Sequence, residues 1–184
     1  MAHFAGGTPG GRVFAYCLAE GGETAHHWQV FADRGMGACL VFDKRRLVEA
    51  VSADPHIRHR EVAYVNWRKL PDVISVQTSL PFIKRQVYRA EREYRLIAAP
   101  PLEHAAATYE LPIPLSCITS VYVSGEVPKA HFETFKNLVR TLRDCGKLPV
   151  RHSGLLQNRR WSDSLRTSSV RHDTQVDQIP IWKG

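Results

Sequence analysis

Four apolar runs of strand length punctuate this chain, each cut off by glycine, proline or charge. They are Arg12-Val13-Phe14-Ala15-Tyr16-Cys17-Leu18, Met36-Gly37-Ala38-Cys39-Leu40-Val41-Phe42, Glu61-Val62-Ala63-Tyr64-Val65-Asn66-Trp67 and Cys117-Ile118-Thr119-Ser120-Val121-Tyr122-Val123. Rich in β-branched and aromatic residues, they read as strands. Segments with helical period fall between and after them, at 24–34, 44–52 and 128–144. The alternation is not the steady βαβ repeat of a doubly wound fold, and no Gly-rich phosphate loop follows a strand. These constraints predict an α+β fold: a single mixed domain over 12–155, with a curved, largely antiparallel sheet packed by three or four helices.

The local signals set the element boundaries. Thr24 is placed to cap a helix carrying Trp28, Phe31 and Ala32 inward, with Gly35 as its stop. Asp43 caps the next, which faces Leu47, Val48 and Val51 to the core. Ser79 and Pro81 read as a third helix start, with Ile83, Val87 and Ala90 as its buried stripe and Lys84, Tyr88 and Glu91 beside it. A strand over 93–99 follows, stopped by Pro100-Pro101, and 108–113 is a further candidate strand. In the last helix Phe132, Phe135, Leu138, Val139 and Leu142 recur at helical spacing, Gly146 ends it, and a strand near 148–152 follows. Val13, Leu40, Phe42, Val121, Phe135 and Leu142 are expected to be buried together.

Outside the domain, 1–11 reads as a Gly-rich flexible lead-in. The segment 68–78 reads as loop with some extended structure at 73–76. The tail, 156–184, loses periodicity and reads as largely flexible, except for an apolar end, Ile179-Pro180-Ile181-Trp182, suited to docking on the body or on a partner.

Charge and cysteines narrow the function classes. The formal net charge is +7, which favours anionic partners: nucleic acid, a nucleotide or other anionic ligand, or an acidic protein. The excess is distributed over Lys44-Arg45-Arg46, Arg58-His59-Arg60, Arg68-Lys69, Lys84-Arg85 and Arg159-Arg160, so solvated faces are an equally available reading. Cys17, Cys39, Cys117 and Cys145 form no C-x-x-C pair, and three of them sit in apolar runs as reduced core residues. The nine histidines show no ligand spacing, so no metal is expected. No apolar run approaches a membrane span. Residues 1–7 lack a basic segment followed by a long apolar one, so a secretory signal is not expected and a cytoplasmic protein is the default.

One stretch carries candidate chemistry. In Glu91-Arg92-Glu93-Tyr94-Arg95-Leu96, an extended backbone puts Glu91, Glu93 and Arg95 on one face and Arg92, Tyr94 and Leu96 on the other. Lys84 is expected to reach the same region from the preceding helix. Two carboxylates with two cations either hold a ligand in a cleft or neutralise one another in a scaffold. Trp28 and Phe31 could stack on a flat ligand, although their helical spacing favours core packing, and Tyr88 is a further ligand-binding candidate beside Lys84.

Two landmarks in this order resemble the uncharacterised bacterial family DUF2971. The first is the run Phe14-Ala15-Tyr16-Cys17-Leu18, then Trp28-Gln29-Val30-Phe31-Ala32, Gly35 and Ala38-Cys39-Leu40-Val41-Phe42. It is similar to a strand followed by W-x-x-Y-A and G-x-x-C-[IL]-x-F. The second, Lys84, Tyr88, Glu91, Glu93 and Arg95, is similar to K-x-x-x-W-x-x-E-x-E-x-R. The likeness spans about 12–152, and 117–123 with Gly125 and the following helix suits its C-terminal part. Phe31 stands where the pattern has Tyr, and Tyr88 where it has Trp. The family's N-terminal section, a Y-R strand and an F-N-D-P-F-type stretch, has no counterpart here. The resemblance implies no reaction, and its missing section implies a shortened form that binds without reacting.

Two functional expectations follow. In the first, Glu91 and Glu93 are catalytic, since an E-x-E pair is similar to the glutamates of arginine-directed mono-ADP-ribosyltransferases. Lys84 and Arg95 would hold a phosphate and NAD would be the cofactor. In the second, the chain is a non-catalytic basic module for nucleic acid or an acidic protein, in a setting of phage–host conflict suggested by the family's character.

Overall fold

The computed structural model describes residues 12–32, 35–69, 77–101, 103 and 107–155. The expected lead-in at 1–11, the extended stretch at 73–76 and the tail at 156–184 with its Ile179–Trp182 end lie outside the described residues. Within them the chain forms an α+β domain with antiparallel and mixed pairing.

The central strand of the first sheet, β6 (Glu93–Ala98), lies between β1 (Phe14–Ala19) and β3 (Ile57–Glu61), antiparallel to both. In the second sheet β7 (Ile118–Val123) is central. It pairs antiparallel with β2 (Ala38–Phe42) and parallel with β8 (Val150–His152). A short parallel ribbon joins β4 (Ala63–Val65) to β5 (Ile83–Arg85). The pairings thus divide into three sheets.

Capping sets the helices where the sequence placed them. Thr24 Oγ1 accepts from the His27 amide at 3.1 Å and opens α1 (Ala25–Phe31). Asp43 Oδ1 accepts from the Arg46 amide at 3.0 Å and opens α2 (Lys44–Val51). Each such cap contributes about 1 kcal/mol. The apolar face of α2 delivers Leu47 and Val51 to a core with Ile57, Tyr94, Leu96 and Ala98. Full burial of such side chains is worth roughly 1.5–3 kcal/mol each. The last helix, α3 (Lys129–Thr141), buries Phe132 and Val139, and the Phe132 ring stacks on His152 of β8 with centroids 4.8 Å apart.

Several expectations are corrected. The helix expected from Ser79 is two 3₁₀ segments, Gln77–Phe82 and Gln86–Glu91, separated by β5. Pairing of Ile83-Lys84-Arg85 with β4 overrides the local helical pattern, so Val87 and Ala90 face solvent instead of forming a buried stripe. Residues 108–113 join no sheet. Pro112 and Pro114 lack the amide a ladder needs, yet Tyr109, Leu111 and Ile113 still pack on the core. A strand is gained at β3, whose run Arg58-His59-Arg60 hides an edge position; there His59 Nδ1 lies 2.7 Å from the Tyr94 hydroxyl.

Burial is also redistributed. Of the six residues expected in one core, Val121 is buried, Val13, Phe42 and Phe135 are partly buried, and Leu40 and Leu142 are exposed. Phe31 faces solvent, while its helix partner Trp28 is buried. All four cysteines are free thiols, but only Cys117 is buried, and Cys17 is exposed.

Candidate functional site

The period of two along β6 sorts its side chains. Tyr94, Leu96 and Ala98 enter the core, while Glu93 and Arg95 share the opposite face. Arg95 Nε donates to Glu93 Oε2 at 2.6 Å, and its Nη1 donates to the Pro81 carbonyl at 2.6 Å. Lys84, on β5 rather than on a helix, reaches the same place and donates to both Glu91 and Glu93.

Glu91 arrives by a different route from the one its spacing suggested. It ends a 3₁₀ segment, and Arg92 then takes a left-handed conformation with φ 46° before β6 begins. The three residues therefore do not share one strand face. That reversal nevertheless turns the Glu91 carboxylate back onto Lys84. The backbone is pinned on both sides: the Glu20 amide donates to Arg92 O at 2.8 Å, the Val62 amide to Glu93 O at 2.9 Å, and the Glu93 amide to the Tyr64 hydroxyl at 2.7 Å.

The result is a neutral four-membered ion cluster. Glu91 and Glu93 are each only 6% exposed. Burial pushes the Glu93 carboxyl up, but hydrogen bonds from Arg95 and Lys84 outweigh it and hold it down at about 2. Burial lowers the Lys84 ammonium, and its two carboxylate partners more than reverse that, so it is raised. Cys17 is exposed as a residue, but its thiol, opposite Arg95 in the β1–β6 ladder, is raised by partial desolvation and by the nearby Glu93 charge against the lowering effect of Arg95, which keeps it a thiol rather than a nucleophilic thiolate.

Trp28 is not brought to this cluster. Its Nε1 donates to Glu23 Oε2 at 2.8 Å, and the same oxygen accepts from Ser153 Oγ at 2.6 Å. It thereby ties α1 to the chain beyond β8.

Tyr88 does lie beside the cluster, on its solvent side. Its ring is 4.9 Å from Lys84 Nζ and 5.1 Å from the Arg85 guanidinium, and Arg85 Nη2 donates to its hydroxyl at 2.8 Å. A second aromatic–guanidinium pair was not singled out from sequence: Arg68 stands 5.4 Å from the Trp67 ring, which is 75% exposed. Because β4 and β5 run parallel with Val65 opposite Arg85, the chain leaves both strands at the same end of the ribbon. Trp67-Arg68 and Arg85-Gln86-Val87-Tyr88-Arg89 both follow from that end. The signal for this surface was present in Trp67-Arg68-Lys69 and Lys84-Arg85, but only the parallel pairing unites them.

No family model matches the chain, and neither a curated protein nor a solved structure is significantly similar to it. Among the described residues no helix is long and apolar enough to cross a membrane.

Proposed function

We propose that this domain binds single-stranded nucleic acid through the basic, aromatic end of the β4–β5 ribbon, with the Glu91–Lys84–Glu93–Arg95 cluster as the scaffold beneath it. The observation that carries this reading is the pair of solvent-facing aromatic side chains, Trp67 and Tyr88, each accompanied by a guanidinium. Such rings stack on bases without regard to sequence, while arginines beside them meet the phosphates. Arg89 and Arg92 are exposed on the segment that follows, and the chain's net charge of +7 draws polyanions to the surface.

A catalytic, NAD-using role for Glu91 and Glu93 has less support. A glutamate that stabilises a developing oxocarbenium ion must face the sugar, and both carboxylates here are buried against cations. The likeness to DUF2971 rests on its motifs and supplies no reaction.

The test is a titration of a fluorescent single-stranded oligonucleotide at several salt concentrations. The logarithm of affinity should fall linearly with the logarithm of salt. Trp67→Ala should weaken binding by about 1–3 kcal/mol. Equal affinity for polyglutamate, or an unaltered affinity in Trp67→Ala, would count against the reading; the first outcome would point to an acidic protein instead.

A further inference from the structure

The two three-stranded sheets do not close on one another. Between them lies a cavity of about 480 Å³. Phe14 and Tyr16 of β1 and Leu96 of β6 wall it on one side, and Leu40 and Phe42 of β2 and Ile118 of β7 on the other. None of the described residues that line it is charged. The same β6 that presents Glu93 and Arg95 to the ion cluster presents Leu96 and Ala98 here, so the two sites are separated by the thickness of one strand.

We propose that this cavity is a binding site for a small, uncharged, largely apolar molecule with a flat or aliphatic body. The volume lies in the range of small-molecule pockets, roughly 300–1,000 Å³, and predominantly apolar walls are their usual lining. Buried Leu47, Ile57, Leu96 and Ala98 line it together with exposed Leu40 and Tyr16, so it runs from the surface into the core, which suits a small molecule better than the face of a second protein. At the rim Leu40 and Tyr16 are exposed although both line the cavity, which marks an entrance between β1 and β2. Aromatic walls are also present: Phe14 stacks on Tyr109 with centroids 6.1 Å apart and planes 30° from parallel. This site is independent of the nucleic-acid surface at the far end of the β4–β5 ribbon.

The test uses the full chain and the neutral dye N-phenylnaphthylamine, whose fluorescence rises in apolar surroundings. One equivalent should bind saturably and raise the melting temperature. Leu40→Trp, at the exposed rim, should leave the unliganded melting temperature within a degree or two and weaken dye binding about tenfold by filling the entrance. Ala15→Trp provides a second block from the β1 side, should Leu40→Trp fail to fold. A surface charge reversal outside the cavity lining, Arg89→Glu, should bind the dye as the parent does. Absence of saturable binding would overturn the proposal, as would unchanged affinity in both tryptophan variants. Dye binding that appears only after residues 179–184 are deleted would also overturn it, because the occupant would then be the chain's own apolar end.

Discussion

Arg95 reaches back two residues along its own strand to Glu93, Nε to Oε2 at 2.6 Å, and the same guanidinium holds the Pro81 carbonyl. One side chain thus neutralises the buried carboxylate of β6 and fastens the 3₁₀ segment that leads into β5. Lys84, at the middle of β5, closes the arrangement from the other side by meeting Glu91 and Glu93 together. The order of ribbon, 3₁₀ segment and central strand is consequently an electrostatic arrangement as much as a hydrophobic one. Removal of any one member leaves the buried cluster with one unbalanced charge.

Acid should loosen the domain through Glu93. Its carboxyl titrates at about 2 in the folded chain against 4.5 as the ordinary value. A depressed folded pKa means that the contribution is full above the unfolded value. It fades as pH falls from about 4.5 towards 2, and amounts to roughly 3 kcal/mol. Urea midpoints measured across this window should fall for the parent chain. Glu93→Gln should start lower at neutral pH and converge on the parent near pH 2, having no charge left to lose.

Lys84→Met tests the cluster from the cationic side. Methionine keeps most of the side-chain length but leaves Glu91 and Glu93 facing each other with Arg95 as the remaining cation. The expected loss is about 3–5 kcal/mol, the cost of breaking a buried pair on one side. Equilibrium denaturation measures it. A double variant, Lys84→Met with Glu91→Gln, should recover part of the loss by removing one of the two competing charges. A loss smaller than 1 kcal/mol in the single variant would mean that solvent screens the site more than its burial indicates.

The sequence was most legible where the signal is local. Period-two alternation separated Glu93 and Arg95 from Tyr94 and Leu96, and Thr24 and Asp43 announced their helices by capping chemistry. It was least legible where a distant strand decides. Ser79, Pro81 and the spacing of Ile83, Val87 and Ala90 make a coherent helical pattern, yet Ile83–Arg85 pairs with β4, and that partner lies some 20 residues away. Arg58-His59-Arg60 conceals β3 because an edge strand tolerates charge on its open side. The six-residue core failed for another reason. Periodicity says which face of a strand is apolar, but not whether an opposing wall closes over it, and Leu40 lies at the rim of the cavity instead of inside a sealed core.

Thiol chemistry offers an independent reading of the burial pattern. Cys17 is exposed, Cys39 and Cys145 are partly covered, and Cys117 is buried at the end of the 3₁₀ turn Leu115–Cys117. Titration with a neutral disulfide reagent should find all four thiols after denaturation without reductant. In the native chain Cys117 should react last, and only as fast as the domain opens. Cys17 should react sluggishly for an exposed thiol at neutral pH and gain rate as pH rises, because partial desolvation of its sulfur and the Glu93 charge raise its pKa. Replacing Glu93 with Gln should speed Cys17 at a given pH, a change that loss of packing around Cys117 would not mimic.

Two apolar truncations, one in α2 and one just after α3, separate the core of this domain from its solvent-facing apolar surface. Val51 ends α2 with no exposed surface and packs among Leu47, Ile57 and Tyr94. Leu142 follows α3 and is 53% exposed, although its spacing after Val139 looked like a core position. Val51→Ala removes two methyl groups from a site with little freedom to collapse, since strands β3 and β6 fix the far wall. The expected cost is about 2 kcal/mol. Leu142→Ala should change stability by less than about 0.5 kcal/mol, as surface substitutions do. Urea midpoints of the two variants, taken at equal slope, make the comparison direct. Should Leu142→Ala prove the costlier, α3 would be covered in solution by something that buries its outer face, and its exposed Leu138 should then respond in the same way.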